Sequence, residues 1–260
     1  MRIKHLLEWV YRRVEKVMAQ NEVIEASCIR LTSDLGAKYA ILPGDPARVE
    51  VIARYLDNPK FIKTQREYTS WEGYLDGEKI LVISTGMGGP STAMCVEDLY
   101  QIGVHTIIRI GTCGGMQLNV ESGDLILPTG AIRQDGTTLE YVNIEYPAVS
   151  DFDVTLALRN AAQKQGFRYH TGVVQSKSSF YGQHDPMRMP CGIELKNKYD
   201  SWIKAGALGS EMECSTAFTV AGILRMRAGA VVLAIWNQER AAAGLSNPTV
   251  RDMDKPIKTT

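Results

Sequence analysis

From Lys38 onward the chain alternates short, β-branched apolar runs with longer amphipathic stretches, and this alternation restricts the folds open to it. Residues 39–42, 80–84, 106–110, 124–128, 172–176 and 229–235 read as strands, several of them closed by Gly or Pro. Residues 91–102, 154–165 and 215–224 carry apolar positions at helical spacing. The 106–110 run is expected to stop at Gly111, and 178–192 to form an irregular loop of the kind that carries binding residues. Strands alternating with helices predict an α/β fold, a single domain with a central mixed, largely parallel sheet flanked by helices. Ahead of it, Ile3, Leu6, Leu7, Val10, Val14, Val17 and Met18 recur at helical spacing. Residues 1–25 are therefore read as an N-terminal amphipathic helical extension and 26–260 as the domain. Glu8, Arg12, Arg13 and Glu15 break the apolar run, so this segment is read neither as a signal peptide nor as a spanning helix.

Lys plus Arg and Asp plus Glu number 29 each, so the formal net charge is zero. A non-specific nucleic-acid binder needs a basic surplus to displace counterions, so that class is not expected. The cysteines at 28, 95, 113, 191 and 214 are odd in number and form no CxxC pair. The pattern suggests neither a disulfide framework nor a zinc site, and the expectation is reduced thiols in the cytoplasm.

Five motifs carry chemistry. In Pro43-Gly44-Asp45-Pro46-Ala47-Arg48, a strand ends in a turn, a helix is expected to start just after, and an Arg stands beside its N-terminus; this is an anion-binding arrangement or simply a turn with a surface Arg. Ser84 through Ser91 contains Gly86, Gly88 and Gly89, but no third glycine falls at the spacing of a dinucleotide fingerprint. Arg109-Ile110-Gly111-Thr112-Cys113-Gly114-Gly115 puts a planar guanidinium fork, a hydroxyl and open backbone N–H groups at a strand end. An Arg inside such an apolar run needs a partner, because an unpaired buried charge is costly. In Ser210-Glu211-Met212-Glu213, alternate side chains of extended backbone share a face, so two carboxylates can converge on a ribose diol or simply enrich a first helical turn. Phe180-Tyr181-Gly182-Gln183 offers a ring to stack on a base and an amide to pair with its edge, or a packed aromatic in an ordered loop.

Together and in this order, these segments resemble the nucleoside phosphorylase-I family, in particular its uridine-cleaving members. The likeness spans about Ile29 to Lys255 and includes Arg66-Glu67-Tyr68. It implies that Gly44, Arg48, Arg109 and Thr112 hold phosphate, with Arg66 reaching a neighbouring subunit's site. It implies that Met212 and Glu213 hold the ribose and that Phe180 and Gln183 flank and read the base, with Arg109, Thr112 and Glu213 as the catalytic set. Glu67, Met87 and Ser91 match positions that bind a monovalent cation such as potassium between subunits. No other cofactor is implied, phosphate is a co-substrate, and the assembly is a homodimer or a trimer of dimers with shared sites, in contact with neither nucleic acid nor membrane.

The chain also departs from the family pattern. An Arg usual two residues after the base-reading Gln is replaced by Asp185, and Arg188 is the nearest substitute. Cys28 stands where a ribose-binding His is usual, Cys113 stands where a Thr is frequent, and relatives continue beyond the position of Thr260 into a C-terminal helix. The late apolar strand ends Ile235-Trp236-Asn237-Gln238, without the Asp that purine-specific relatives use to protonate the base. The expected reaction is uridine plus phosphate to uracil plus ribose 1-phosphate. A purine nucleoside phosphorylase, a nucleosidase or a non-catalytic nucleoside-binding relative are the alternatives.

Overall fold

A computed structural model describes residues 23–260. The N-terminal helix expected over residues 3–18 lies outside the described residues. The strands, in chain order, are β1 (Tyr39–Pro43), β2 (Asp57–Gln65), β3 (Tyr68–Leu75), β4 (Glu78–Ile83), β5 (Thr106–Gly115), β6 (Leu125–Gln134), β7 (Ala148–Val149), β8 (Tyr169–Lys177), β9 (Gly209–Glu211) and β10 (Arg227–Asn237). The helices are α1 (Ala47–Ala53), α2 (Gly89–Gln101), α3 (Phe152–Lys164), α4 (Phe180–His184), α5 (Gly192–Lys204), α6 (Cys214–Ile223), α7 (Gln238–Ala242) and α8 (Asp254–Thr259). The protein is an α/β domain around one mixed sheet.

Parallel ladders join β1 to β4 and β5, β10 to β5, β6 to β8 and β8 to β9. The sequence runs β5, β9, β8, β6, β10 and back to β5 through hydrogen-bonded neighbours, so these strands close on themselves as a ring. An antiparallel β2–β3–β4 meander extends the free side beyond β1.

The near-continuous apolar character of the central strands follows from burial on both faces. Along β10, Ala228, Ala230, Val232 and Ala234 join one core, which includes Val96 and Leu99 of α2 and Phe218 and Val220 of α6. The alternate residues Val231 and Leu233 join a second core with Val49 and Ile52 of α1, Val154 and Leu158 of α3 and Ile257 of α8. The same alternation splits Leu81 and Ile83 of β4 from Ile80 and Val82.

Three features differ from the sequence reading. β5 does not stop at Gly111 but runs to Gly115, because β10 pairs with it along this length and β9 joins its last two residues. Helix α5 falls in a stretch with few buried side chains, held on its surface by the i,i+4 pairs Lys196–Asp200 and Lys198–Glu194. The stretch expected to be irregular contains the short helix α4, whose first turn is capped by Ser179 Oγ accepting from the Gly182 N–H at 3.0 Å.

Candidate active site

The site forms where the carboxyl ends of parallel strands open, the usual place for ligands in such sheets. A cavity of about 700 Å³ is lined from the ends of β1 and β4 (Gly44, Asp45, Pro46, Gly86, Met87), from β5 (Arg109 and Gly111 to Gly114), from Lys177 at the end of β8, from α4 (Phe180, Gln183, His184), and from Ser210 to Glu213. Arg48 and Glu67 complete the rim near β1.

Arg109 organises one end. It is buried, and the partner that its apolar strand demanded proves to be double. Nε donates to Glu211 at 3.3 Å and Nη2 donates to Glu213. Burial works against the Arg109 charge, but Glu213 and Glu211 overcome it, so the guanidinium is held more firmly protonated than usual. Nη1 has no hydrogen-bond partner among the described residues. A buried N–H without a partner, on a residue that lines the cavity, is a ready anion donor. The adjacent Gly111 is required here, since a Cβ built there would lie 2.8 Å from Arg109 Nη2. Any side chain at 111 pushes the guanidinium off its carboxylates.

The two carboxylates expected to share a face do converge on Arg109, but their environments differ. Glu211 is sealed: besides Arg109, it accepts from Ser176 Oγ and from the N–H groups of Glu213 and Cys214 at the start of α6. Glu213 accepts from the Gly88 N–H at 2.7 Å as well as from Arg109, and its side chain keeps 7% exposure where that of Glu211 has none. Burial raises the Glu213 pKa, Arg109 opposes this and Glu211 adds to it; the net direction is upward.

The opposite end is framed by Phe180, Gln183, His184, Ser210 and Ile235. Ser210 Oγ donates to Gln183 Oε1 at 2.8 Å, and Lys177 Nζ donates to Ser210 Oγ at 2.6 Å. The pKa of His184 is lowered, first by burial and then by Lys177, with a hydrogen bond to Gln238 opposing. Among the described residues, no carboxylate hydrogen-bonds Gln183, His184 or Ser210. Asn237 is fully committed elsewhere: Nδ2 donates to the carbonyls of Gln117 and Val120, and Oδ1 accepts from the N–H groups of Glu239 and Arg240. Glu239 accepts from the Tyr199 hydroxyl at 3.0 Å and lies outside the cavity lining.

The fold therefore brings Gly44, Arg48, Glu67, Met87, Arg109, Thr112, Phe180, Gln183, Met212 and Glu213 together around one cavity. Arg66 is exposed at the β2–β3 turn with φ 54°, away from this lining. Cys28 is also outside it; its N–H donates to Asp98 and its Sγ lies 3.8 Å from Met94 Sδ. Ser91 sits in the first turn of α2, beside Gly86. Arg188 is not brought to the cavity, because its side chain is 60% exposed and faces Asp185 at 3.6 Å. Lys177 and Ser210 were not singled out for the base end from sequence. A lone Lys at a strand end has no pattern, and only the closure of β9 onto β8 places it.

A family model described as the phosphorylase superfamily matches residues 38–254. The chain belongs to the phosphorylase superfamily. Among curated members of this superfamily, it is 48% identical over 226 residues to a uridine phosphorylase of Treponema pallidum (strain Nichols), covering 87% of each chain. It is 41% identical over 206 residues to a uridine phosphorylase of Escherichia coli (strain K12), covering 78% of this chain and 81% of that one. It is 38% identical over 192 residues to a guanosine phosphorylase of Halorubrum lacusprofundi, covering 74% of this chain and 75% of that one. Among the described residues, no helix is long and apolar enough to cross a membrane.

Proposed function

We propose that this phosphorylase-superfamily protein cleaves uridine with inorganic phosphate, giving uracil and ribose 1-phosphate, as a step of nucleoside salvage or catabolism. The observation that carries the reading is one cavity lined at one end by Arg109, whose buried Nη1 has no partner among the described residues, and at the other by an amide and an aromatic ring with no carboxylate on them among the described residues. The uridine phosphorylase relatives, at 41–48% identity, support it.

Phosphate would sit on Arg109 Nη1, Arg48, Thr112 and the Gly44 backbone, below the sugar. Met212 and Glu213 would hold the ribose, and Phe180 and Gln183 the base. Bond cleavage builds positive charge on the sugar and negative charge on the base. A bound phosphate dianion opposes the first and is itself the nucleophile, and holding both reactants in place supplies much of the rate. A purine leaves more easily once its ring is protonated, and no carboxylic acid hydrogen-bonds Gln183, His184 or Ser210 at the base end among the described residues to do this.

The test is base release from uridine, thymidine, inosine and guanosine, each with and without phosphate. Uracil release that requires phosphate, or arsenate in its place, is the expected result. Equal release without either anion marks a hydrolase; faster cleavage of guanosine or inosine marks a purine enzyme, as in the Halorubrum relative; and no release with any of them marks a binding protein.

Arg66 and Cys28 lie outside the cavity of their own chain and would serve the cavity of a second copy, making a dimer, alone or within a trimer of dimers, the active unit. Arg48→Ala and Arg66→Ala homomers are each expected to be nearly inactive. Because Arg48 acts in cis and Arg66 in trans, a mixed dimer contains one intact site, and mixing is expected to restore activity. Verified hybrids that stay inactive would sink the shared site. At the same interface Glu67 and Ser91 both crowd Gly86, where Ser91 Oγ donates to the Met87 carbonyl at 3.3 Å. This is a carboxylate, a hydroxyl and a carbonyl, the oxygen set suited to a monovalent cation such as potassium. The described cysteines are all free, which fits a cytoplasmic protein.

A further inference from the structure

Asp135 is a buried carboxylate that the reading above does not use. It follows the last residue of β6 and is 5% exposed. Among the described residues it accepts from neutral donors alone. Oδ1 accepts from the Thr138 N–H at 2.8 Å, and Oδ2 accepts from the Thr138 hydroxyl at 3.1 Å and from the Ser215 hydroxyl at 2.5 Å. Keeping a charge out of water on such partners is costly. An asparagine would close the turn to Thr138 without that cost. The second carboxylate oxygen is needed for Ser215.

The two sides of Asp135 lead to two elements of the site. On one side, the Thr138 hydroxyl that donates to Asp135 also accepts from Arg133 Nε at 3.1 Å. The rest of the buried Arg133 guanidinium donates to the carbonyls of Thr138, Val142, Asn143 and Tyr146, which fixes this segment as a block. Thr137 of the same turn stands against Gly89: a Cβ built there would lie 2.5 Å from Thr137 Oγ1 and 2.8 Å from Thr216 Oγ1. The Gly88–Gly89 backbone is thus wedged between the turn and α6, and it is the Gly88 N–H that Glu213 accepts. On the other side, Ser215 is the second residue of α6. Asp135 holds its hydroxyl, and its N–H donates to Ser176 Oγ at 2.9 Å, so the start of α6 is pinned twice. Asp135 therefore joins the turn that holds Gly88 to the helix start that carries Glu213.

We propose that Asp135 is a positioning residue for the ribose end of the site: through Ser215 it fixes where the Glu213 carboxylate stands. The assignment rests on the reading above, in which Glu213 holds the ribose. Asp135 lies outside the cavity lining, so its influence passes through Ser215 and Glu213. A displacement of about 1 Å in a group that positions substrate lowers the rate by up to on the order of 100-fold. Arg109 depends less on this link, because Glu211 keeps the guanidinium and two backbone N–H groups as partners when Ser215 is untied.

The test uses Asp135→Asn and Ser215→Ala, each alone and on a Glu213→Ala background. Asparagine keeps an acceptor for the Thr138 N–H but presents an NH₂ where the Ser215 hydroxyl needs an acceptor. Ser215→Ala breaks the same bond from the other side. Each alone is expected to lower kcat/KM for uridine by about 10- to 100-fold, chiefly through the KM for uridine, with the KM for phosphate within about threefold. On the Glu213→Ala background each should change kcat/KM by less than about twofold, because the group it displaces is already gone. A merely structural loss would instead multiply with that of Glu213→Ala. Multiplying losses, a loss carried by the KM for phosphate, or single variants that match the parent would each overturn the assignment. Should Asp135→Asn fail to fold, Ser215→Ala carries the same cycle alone. The parent is first assayed on uridine, inosine and guanosine. If it cleaves only a purine nucleoside, the uridine reading has failed and the cycle is run on that substrate, whose ribose is the same. If it cleaves none, the Kd for uridine by calorimetry replaces the KM, and a parent that binds no nucleoside overturns both readings.

Discussion

Arg109→Ala is expected to lower kcat/KM for uridine by ~30- to 1000-fold, the equivalent of ~2–4 kcal/mol of lost transition-state stabilisation. Among the described residues lining the cavity, Nη1 is the one buried side-chain donor without a partner, so its loss removes a charge-assisted contact that no neighbour replaces. The same substitution is expected to destabilise the fold by ~3–5 kcal/mol, because Glu211 and Glu213 stay buried without their counter-ion. Urea unfolding and steady-state rates measured on the same preparation separate the two effects. Arg109→Lys is the control: it keeps one positive charge for the carboxylates but cannot bind two of them and an anion at once, so stability should largely return and activity should not. An Arg109→Ala enzyme within twofold of the parent would place the phosphate elsewhere.

Glu211→Ala is expected to be the most destabilising single change in the site. It orphans the Ser176 hydroxyl, Arg109 Nε and the N–H groups of Glu213 and Cys214. It also removes a carboxylate from the positive end of α6. Breaking a buried ionic network from one side costs ~3–5 kcal/mol, which is a large share of the stability of most domains. Glu213→Ala is expected to cost less stability, because its side chain keeps 7% exposure, so water can reach the Gly88 N–H and Arg109 Nη2 that it frees. Its main effect should be a rise in the KM for uridine with little change in the KM for phosphate. Melting temperatures and the two KM values check both. A Glu211→Ala protein that melts with the parent, or a Glu213→Ala protein that melts below Glu211→Ala, would reverse the roles of the two carboxylates.

Much of this molecule was legible before folding. The central strands are buried on both faces, so β1, β4, β5 and β10 announced themselves as apolar runs. The motifs at Gly44, Arg109 and Glu213 could be read because the turn, the strand end and the helix start each impose residue types at short spacing. The β2–β3 hairpin was not legible: Asp57–Gln65 lies on an edge with most side chains exposed, and nothing selects an apolar alternation there. β9 has only three residues, too few to show any period.

The sequence by itself determined the fold class, the superfamily and most of the residues around the cavity, since these follow from local periodicity and from motifs a few residues long. The tertiary structure alone decided which of two similar carboxylates is fully buried and which keeps some exposure. It also decided that Arg188 points to solvent while Lys177 stands at the base end. Those distinctions depend on pairing between β5, β8 and β9, segments tens of residues apart in the chain. Burial and the satisfaction of hydrogen bonds are properties of that assembled ring and leave no mark on the spacing of residues along the chain.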